Sequence, residues 1–204
     1  MLLVLVLGGG ASAPLHAAPG TILVVGDSLS AGYGIDPAQG WVSLLANKVD
    51  GRYKVVNASI SGDTTSGGLT RLPRALQIHG PDVVVLELGG NDGLRGTSIR
   101  QMRANLDQMI RLAKEADAKV VLLGMQIPPN LGPAYTRAFA DVFPALASEH
   151  NLPIVPFFLE GVAGYPEFMQ DDGIHPRSNA QPTMLNNVWA VLGPMLGPML
   201  GADQ

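Results

Sequence analysis

The segment Thr21-Ile22-Leu23-Val24-Val25-Gly26-Asp27-Ser28 decides the fold of this chain. Its apolar run ends at Val25, and a glycine, an aspartate and a serine follow without a gap. Short continuous apolar runs are typical of central strands in parallel sheets, which are buried on both faces. The run therefore predicts such a strand, and Ser28 then lies at its carboxyl end, where open α/β sheets bind their ligands.

Four further apolar runs predict the rest of one sheet. They lie at 53–58, 82–88, 119–124 and, more weakly, 153–156. Helical patterns separate the runs, and the clearest begins at Ser98, which is expected to cap its helix together with Gln101. Strands that alternate with helices form βαβ units. We therefore expect an α/β fold of three layers, α/β/α, with a central parallel sheet of five strands.

The composition fits one globular domain and excludes several classes of function. The chain has 204 residues, of which 47% are hydrophobic and 15% are charged, enough for one sizeable core. A net charge of −4 and the lack of a Lys/Arg cluster argue against a nucleic-acid partner. Without cysteine there is no disulfide, no thiolate nucleophile and no cysteine metal site. Phosphate-binding glycine loops and the His-Glu-x-x-His metal motif are absent as well.

The start of the chain is typical of an exported protein. An apolar stretch at 1–7, followed by small-residue cleavage patterns, predicts a signal peptide over 1–18, with cleavage between 13 and 19. The usual basic start is missing, because no Lys or Arg precedes Lys48. A disordered segment or a buried first strand is the alternative. The apolar stretch itself is too short to span a bilayer. Once it is cleaved off, we expect no stable membrane insertion.

The end of the chain carries a local repeat, in which Gly-Pro-Met-Leu begins at Gly193 and again at Gly197. Prolines at this spacing interrupt a helix. We therefore expect one domain over 20–192, a last helix that ends near Leu192, and a frayed tail over 193–204.

Three further polar motifs lie after later strands or near the end of the chain. They are Ile60-Ser-Gly-Asp-Thr-Thr65, Leu88-Gly-Gly-Asn-Asp92 and Asp172-Gly-Ile-His-Pro176. The carboxyl ends of parallel strands meet at one edge of a sheet, so Ser28, Gly62 and Asn91 are expected to converge there. Taken singly, each of them also fits an ordinary helix cap or turn.

A late histidine completes the chain order Ser…Asp…His, which recurs in serine hydrolases built on open α/β sheets. A serine hydroxyl becomes nucleophilic only when a base accepts its proton. His175 is the best candidate, since Pro176 restricts its backbone and helps to fix its ring. His16 lies in the expected signal peptide, and His79 and His150 lie near the ends of presumed helices, where an exposed histidine is ordinary.

The four blocks Gly-Asp-Ser-Leu-Ser, Ser-Gly-Asp-Thr-Thr, Gly-Gly-Asn-Asp and Asp-Gly-Ile-His-Pro, in this order, resemble the SGNH (GDSL) hydrolase family. Within it, the chain is most similar to the periplasmic acyl-CoA thioesterase I, lysophospholipase L1 and arylesterase group. The resemblance extends from about residue 21 to residue 191. It implies a flavodoxin-like sheet, an esterase or thioesterase activity, and, with the signal peptide, a periplasmic or secreted location.

The resemblance also implies a catalytic triad. Ser28 is the nucleophile, His175 is the general base and later the acid, and Asp172 orients the imidazole. Asp171 could reach the imidazole as well, and the family pattern Asp-x-x-His is what selects Asp172. Three donors would hold the oxyanion, namely the backbone N–H groups of Ser28 and Gly62 and the side-chain amide of Asn91.

The implied substrates are arylesters, acyl thioesters, short p-nitrophenyl esters and lysophospholipids. Two loops, 93–98 and 125–133, are expected to shape an acyl groove with the candidate contacts Leu94, Arg95, Met125, Ile127 and Leu131. Arg95 could meet a phosphate or carboxylate, or it could be a solvated charge. The implied mechanism requires neither a metal nor an organic cofactor. The expected partner is a small acyl ester or thioester, and we expect a monomer.

Two other functions fit parts of the sequence. A carbohydrate O-acetylesterase of the same fold would need an open polar and aromatic groove, and only 5% of the residues are aromatic. A catalytically inactive lipid- or glycan-binding protein would not need the complete set of serine, glycine, asparagine, aspartate and histidine.

Overall fold

Five strands and seven helices alternate along residues 20–197, the part of the chain that the computed structural model describes. The strands are β1 (Gly20–Gly26), β2 (Tyr53–Asn57), β3 (Val83–Glu87), β4 (Lys119–Leu123) and β5 (Ile154–Val155). The helices are α1 (Ser28–Ala31), α2 (Trp41–Val49), α3 (Thr65–His79), α4 (Gly90–Leu94), α5 (Ile99–Glu115), α6 (Pro133–His150) and α7 (Gln181–Leu196).

The strands form one parallel sheet in the order β2-β1-β3-β4-β5. Helices α2 and α7 pack together in one flanking layer, while α3, α5 and α6 form the other. Both faces of the sheet are therefore covered, and Ile22, Val85 and Leu122 have no exposed surface. The predicted three-layer fold with five parallel strands is confirmed.

The strand order creates a crevice between the ends of β1 and β3. The connection after β1 leads to β2 on one side, and the connection after β3 leads to β4 on the other side. The two connections therefore diverge between β1 and β3. Ligands of open α/β sheets bind at such a divergence. The paired ends of the two strands, Gly26 and Glu87, bring the segments that follow them close together.

The predicted cap of α5 is wrong in its chemistry. Ser98 precedes the helix as expected, but its hydroxyl makes no capping bond within residues 20–197. Gln101 instead donates to Oδ1 of Asn105 at 2.9 Å. Asn105 is only 6% exposed, and a buried amide needs partners. Gln101 is therefore used as a partner for this buried amide, and it does not complete a cap at the exposed start of the helix.

The last helix is longer than the sequence predicts. Helix α7 continues past Leu192 to Leu196 with Pro194 inside its final turn. Proline removes one backbone hydrogen bond of the helix. Leu192 and Leu196 are fully buried, and apolar burial of about 1.5–3 kcal/mol per side chain offsets this loss. Residues 198–204 of the expected tail lie outside the described residues.

None of the described helices is long and apolar enough to cross a membrane. The predicted signal peptide at 1–18 lies outside the described residues.

Candidate active site

A hydrogen-bonded chain of three side chains lies at the carboxyl edge of the sheet. Ser28 begins α1 directly after β1, and its Oγ is 2.9 Å from Nε2 of His175. The other ring nitrogen of His175, Nδ1, is 2.6 Å from Oδ2 of Asp172. The imidazole therefore bridges a serine hydroxyl and a carboxylate, which is the geometry that lets histidine accept the serine proton.

Asp172, and not Asp171, contacts the imidazole. Its second oxygen accepts the backbone N–H groups of Ile174 at 2.9 Å and His175 at 3.0 Å. Burial opposes the charge on Asp172, but the hydrogen bonds from His175 and Ile174 outweigh it and lower its pKa to about 2. Asp171 points to solvent and pairs with Arg177 at 2.7 Å. The two carboxylates that the bare sequence leaves open are thus separated by geometry.

The segment that carries His175 is fastened to the turn that follows α1. The Tyr33 ring lies 4.5 Å from the imidazole, centroid to centroid, at 41°. The side chain of Gln170 donates to the carbonyls of Tyr33 at 2.8 Å and Pro176 at 3.2 Å. Gly34, just beyond Tyr33, leaves room for that amide, since a Cβ there would come within 2.3 Å of Gln170. These contacts orient the base toward the serine.

The loop that carries Gly62 is fastened to the end of β1. Arg71 donates to the carbonyls of Gly26 and Ala58 and forms an ion pair with Asp63. Gly62 has a positive φ of 78°, which favours glycine. Its N–H group makes no hydrogen bond within residues 20–197. The loop therefore offers an unused donor beside the strand that Ser28 follows.

Asn91 reaches the same edge from β3. It lies in α4, and one hydrogen of its Nδ2 amide is donated to Oδ2 of Asp27 at 3.0 Å. A primary amide carries two donor hydrogens. The second hydrogen is available to an oxygen bound in the crevice, alongside the backbone N–H group of Ser28, which makes no hydrogen bond within residues 20–197.

A buried clamp connects the two segments that carry Gly62 and Asn91. Asp92 is 1% exposed and accepts the Thr65 backbone N–H at 2.8 Å and its hydroxyl at 2.6 Å. Asn105 donates to the same hydroxyl at 3.0 Å. Sequence reasoning missed this role of Asp92. Its position directly after Asn91 is the signal that the sequence carries for this role.

A second buried acid was also missed, and it lies behind the nucleophile. Glu87 is fully buried at the end of β3. It is the charged residue that interrupts the apolar run 83–88, which is a sequence signal for a polar role. Burial and the neighbouring Asp27 raise the pKa of Glu87 well above its usual range. Burial likewise raises the pKa of Asp27 to about 6, against hydrogen bonds from Leu29 and Asn91.

A cavity of about 570 Å³ opens beside Ser28 and His175. Three of the five predicted contact residues line it. Its largely apolar wall includes Leu94, Met125, Ile127, Phe157, Leu159 and Ile174. Sequence reasoning missed Phe157 and Leu159, although they follow β5 and so belong to the same edge of the sheet. A cavity of this size and polarity suits the apolar part of a small molecule.

The other two predicted contacts lie elsewhere. Arg95 donates to the carbonyl oxygen of Gly62 at 2.9 Å and so braces the loop of that glycine. Leu131, on the loop after β4, is 39% exposed and is not part of the cavity wall. Residue type and loop membership alone did not distinguish wall residues from braces, because the direction of each side chain depends on the folded loop.

Between residues 20 and 197, one group of side chains has the spacing of metal ligands, namely Asp107, Glu149 and His150, whose ligand atoms lie within 4.8 Å of one another. Asp107 pairs with Arg111, and Glu149 pairs with Arg103. His150 ends α6, on the side of the sheet where strands begin, opposite to Ser28. The arginines already neutralise both carboxylates, so the group is accounted for as an ion-pair network.

Comparison with known proteins identifies a family and several similar sequences. The GDSL-like Lipase/Acylhydrolase family matches residues 24–181. Esterase TesA of Pseudomonas aeruginosa is 54% identical over 184 residues, covering 89% of this chain and 92% of that protein. Thioesterase 1/protease 1/lysophospholipase L1 of Escherichia coli K12 is 46% identical over 180 residues, covering 88% and 86%.

Solved structures show the same relationship in three dimensions. A crystal structure of TesA superimposes with a TM-score of 0.82 at 53% sequence identity. The match covers 88% of this chain and 99% of that one. The family match, the two relatives and this superposition show that the chain belongs to the GDSL-like lipase/acylhydrolase family.

Proposed function

We propose that the protein hydrolyses carboxylic esters and acyl thioesters through an acyl-enzyme on Ser28. The observation that carries this proposal is the hydrogen-bonded series Ser28–His175–Asp172, with bonds of 2.9 and 2.6 Å, at the mouth of an apolar cavity. The relatives named esterase, thioesterase and lysophospholipase support it.

In the first half of the reaction, Ser28 Oγ attacks the acyl carbonyl carbon while Nε2 of His175 takes the hydroxyl proton. The carbonyl oxygen gains negative charge, and the N–H groups of Ser28 and Gly62 together with the Asn91 amide stabilise it. The C–O or C–S bond then breaks. His175 returns the proton to the departing alcohol or thiol, and the acyl group stays on Ser28.

In the second half, water attacks the acyl carbon and His175 accepts its proton. The bond to Ser28 breaks, Oγ regains the proton from His175, and the carboxylic acid leaves. Asp172 keeps the imidazole in the tautomer that has its free lone pair on Nε2, and it stabilises the imidazolium.

The cavity suits substrates with an apolar group on either side of the reactive carbonyl, in the acyl chain or in the leaving group. Arylesters, acyl thioesters and lysophospholipids fit, because each places an apolar chain or a ring next to a reactive carbonyl. An O-acetylated sugar would leave the wall formed by Met125, Ile127 and Phe157 unused. The carbohydrate esterase is therefore the second candidate, and an inactive binding protein is the third.

A series of p-nitrophenyl esters, with acyl chains from about two to about sixteen carbons, tests the proposal beside acyl-CoA and lysophosphatidylcholine. We expect kcat/KM to rise as the chain lengthens beyond acetyl, since each methylene in the cavity adds apolar burial. Activity on acetyl esters alone would favour the carbohydrate esterase. Failure of a fluorophosphonate to label Ser28 would favour the binding protein.

Chelation with EDTA should leave the rates unchanged, and a loss of activity that zinc restores would contradict a metal-free mechanism.

Activity should rise with pH from about 5 to about 8 and then level off, because protonated His175 cannot accept the Ser28 proton. Asp172, whose pKa is about 2, stays ionised throughout this range and adds no slope. Asp27, whose pKa is about 6, loses its proton within the range. The ionised carboxylate is the better acceptor for the Asn91 amide, so this ionisation makes the rise in activity steeper. The measurement is kcat/KM against pH with a substrate for which chemistry limits the rate. A flat profile would contradict the role of His175.

We further infer that the protein is exported and acts as a monomer in the periplasm or outside the cell. The signal-like sequence at 1–18 supports export, and the presence of the triad and cavity within one chain supports a monomer. The mass of the protein from a periplasmic fraction should show cleavage between 13 and 19. Light scattering that reports a stable dimer, or an uncleaved cytoplasmic product, would contradict these two inferences.

A further inference from the structure

Two buried acids behind the nucleophile take no part in the proton transfers described above. Asp27 is 2% exposed and Glu87 is not exposed at all. Burial of two adjacent carboxyl groups destabilises a fold unless hydrogen bonds and a shared proton compensate. Gly26 makes room for this pair, since a Cβ there would lie 2.5 Å from Oε2 of Glu87. The pair therefore has a structural cost, and a function is expected in return.

The hydrogen bonds of Glu87 distinguish its two oxygens, because only one of them is already used as an acceptor. Oε2 accepts the Ser30 hydroxyl at 2.6 Å and the Asp27 backbone N–H at 3.2 Å. The Ser30 proton points to Glu87 because Trp41 Nε1 donates to the same hydroxyl oxygen at 3.2 Å. Oε1 is buried and accepts no hydrogen bond from the described residues. A side-chain hydrogen bond joins Glu87 and Asp27, and burial raises the pKa of Glu87 well above its usual range. A proton placed on Oε1 and donated to Asp27 would remove the deficit at this oxygen.

The hydrogen bonds of Asp27 show what this proton achieves. Oδ1 accepts the Leu29 backbone N–H at 3.1 Å, and Oδ2 accepts Nδ2 of Asn91 at 3.0 Å. An ionised carboxylate can only accept hydrogen bonds. While Glu87 holds the proton, both oxygens of Asp27 are acceptors, and Asn91 has to turn its NH₂ group toward them.

The orientation of the Asn91 amide matters because its two ends have opposite effects on an oxyanion. With NH₂ toward Asp27, the second hydrogen of that group is directed to the crevice. With the amide reversed, its carbonyl oxygen would take that place and repel the developing charge. We propose that Asp27 fixes the orientation of the Asn91 amide and that Glu87, by donating to Asp27, keeps it an acceptor. Both are positioning residues, and the inference rests on the proposed role of Asn91.

The substitution Asp27→Asn tests the role of Asp27 with almost no change of shape. The Leu29 N–H still requires an oxygen at the Oδ1 position, so the new NH₂ group takes the place of Oδ2 and faces Asn91. Two NH₂ groups cannot face each other, and Asn91 has to reverse. We expect kcat to fall by about 10²–10³-fold, as it does when one oxyanion donor is lost, while KM changes little.

Glu87 is tested by a pair of variants. Glu87→Gln keeps a neutral donor at Oε1, whereas Glu87→Met keeps the length and removes the donor. We expect Glu87→Gln to retain most of the kcat that Glu87→Met loses. In the unsubstituted protein, infrared spectroscopy should show the C=O stretch of a buried protonated carboxyl group, and that band should be missing in Glu87→Gln.

The decisive experiment measures kcat, KM and melting temperature for Asp27→Asn, Asn91→Ala and their double variant, with Asp36→Asn as the control. Asp36 caps the 3₁₀ turn Pro37–Gln39 through Ala38 N–H and lies outside the site, so its kcat should not change. The double variant should be no slower than Asn91→Ala, because both single changes remove the same donor. The melting temperature of Asp27→Asn at pH 7 should not fall, since a buried charge is removed.

The outcomes separate this inference from the proposed function. Asn91→Ala with normal kcat would overturn the proposed oxyanion site itself. A slow Asn91→Ala with a fast Asp27→Asn would overturn the orienting role of Asp27 alone. A slow Asp27→Asn with a strongly lowered melting temperature, or rate losses that add in the double variant, would also overturn it. Equal kcat for Glu87→Gln and Glu87→Met would overturn the part assigned to Glu87.

Discussion

Ser28→Ala and His175→Ala should each lower kcat by about 10³-fold or more, and the double variant should be little slower than either one. The hydroxyl oxygen of Ser28 and Nε2 of His175 are 2.9 Å apart. In the proposed mechanism the two groups transfer the same proton, so the loss of one makes the other ineffective. Both side chains lie at the rim of the cavity, and their truncation leaves the core packing intact. The measurement is kcat on a p-nitrophenyl ester for the three variants, with circular dichroism to verify the fold.

The neighbouring aspartates supply a matched control for this prediction. Asp172→Ala should be slow, though less so than the serine and histidine variants, because the imidazole loses its orientation but remains in place. Asp171→Ala removes an exposed carboxylate that contacts Arg177 and should stay near the unsubstituted rate. A damaging Asp171→Ala beside a harmless Asp172→Ala would reverse the assignment. Additive losses in the double variant would argue against a unit of serine and histidine.

Asn91→Ala should lower kcat by about 10²–10³-fold, which is about 3–4 kcal/mol of transition-state stabilisation, with KM within a small factor. In the proposed mechanism, the second amide hydrogen of Asn91 is donated to an oxygen whose charge grows only as the tetrahedral species forms. A donor of this kind stabilises the transition state more than the bound substrate. Its loss is therefore expected in kcat and not in ground-state binding.

Melting temperature and kcat, measured on the same Asn91→Ala sample, decide between this role and an ordinary structural one. A lowered melting temperature with near-normal kcat would remove Asn91 from the site. Asn91→Asp should be at least as slow as Asn91→Ala, since a carboxylate would repel the oxyanion and would also face Asp27. An Asn91→Asp variant faster than Asn91→Ala would contradict the electrostatic argument.

Local patterns predicted the sheet and the motifs well, because the physics behind them is local. A run such as Ile22–Val25 can only be stable when it is buried on both faces, and its motif has to follow at the carboxyl edge. The five predicted strands are present within one residue of their expected bounds. The resemblance selected Asp172 over Asp171, and the structure shows only the former against the imidazole.

Features that depend on contacts between distant segments were not predictable in this way. The adjacency of Gly26 and Glu87 follows from the order and register of the strands. Neither property can be deduced from a short segment of sequence, because each depends on how distant segments pair. For the same reason, Arg95 was expected in the groove, while it braces Gly62. The extra turn of α7 beyond Leu192 depends on burial that a proline rule does not include.

His175, the proposed base, lies 147 residues after Ser28, and this separation affects when during synthesis the site can be completed. A nascent chain that ends soon after β4 contains four of the five strands but not His175. Such a chain is not expected to hydrolyse an ester. Helix α7 then anchors the late segment, where Gln181 accepts the Trp41 backbone N–H at 3.0 Å. Labelling of Ser28 by a fluorophosphonate would thus report complete folding, and it would distinguish finished molecules from truncated or partly folded ones in a mixed population.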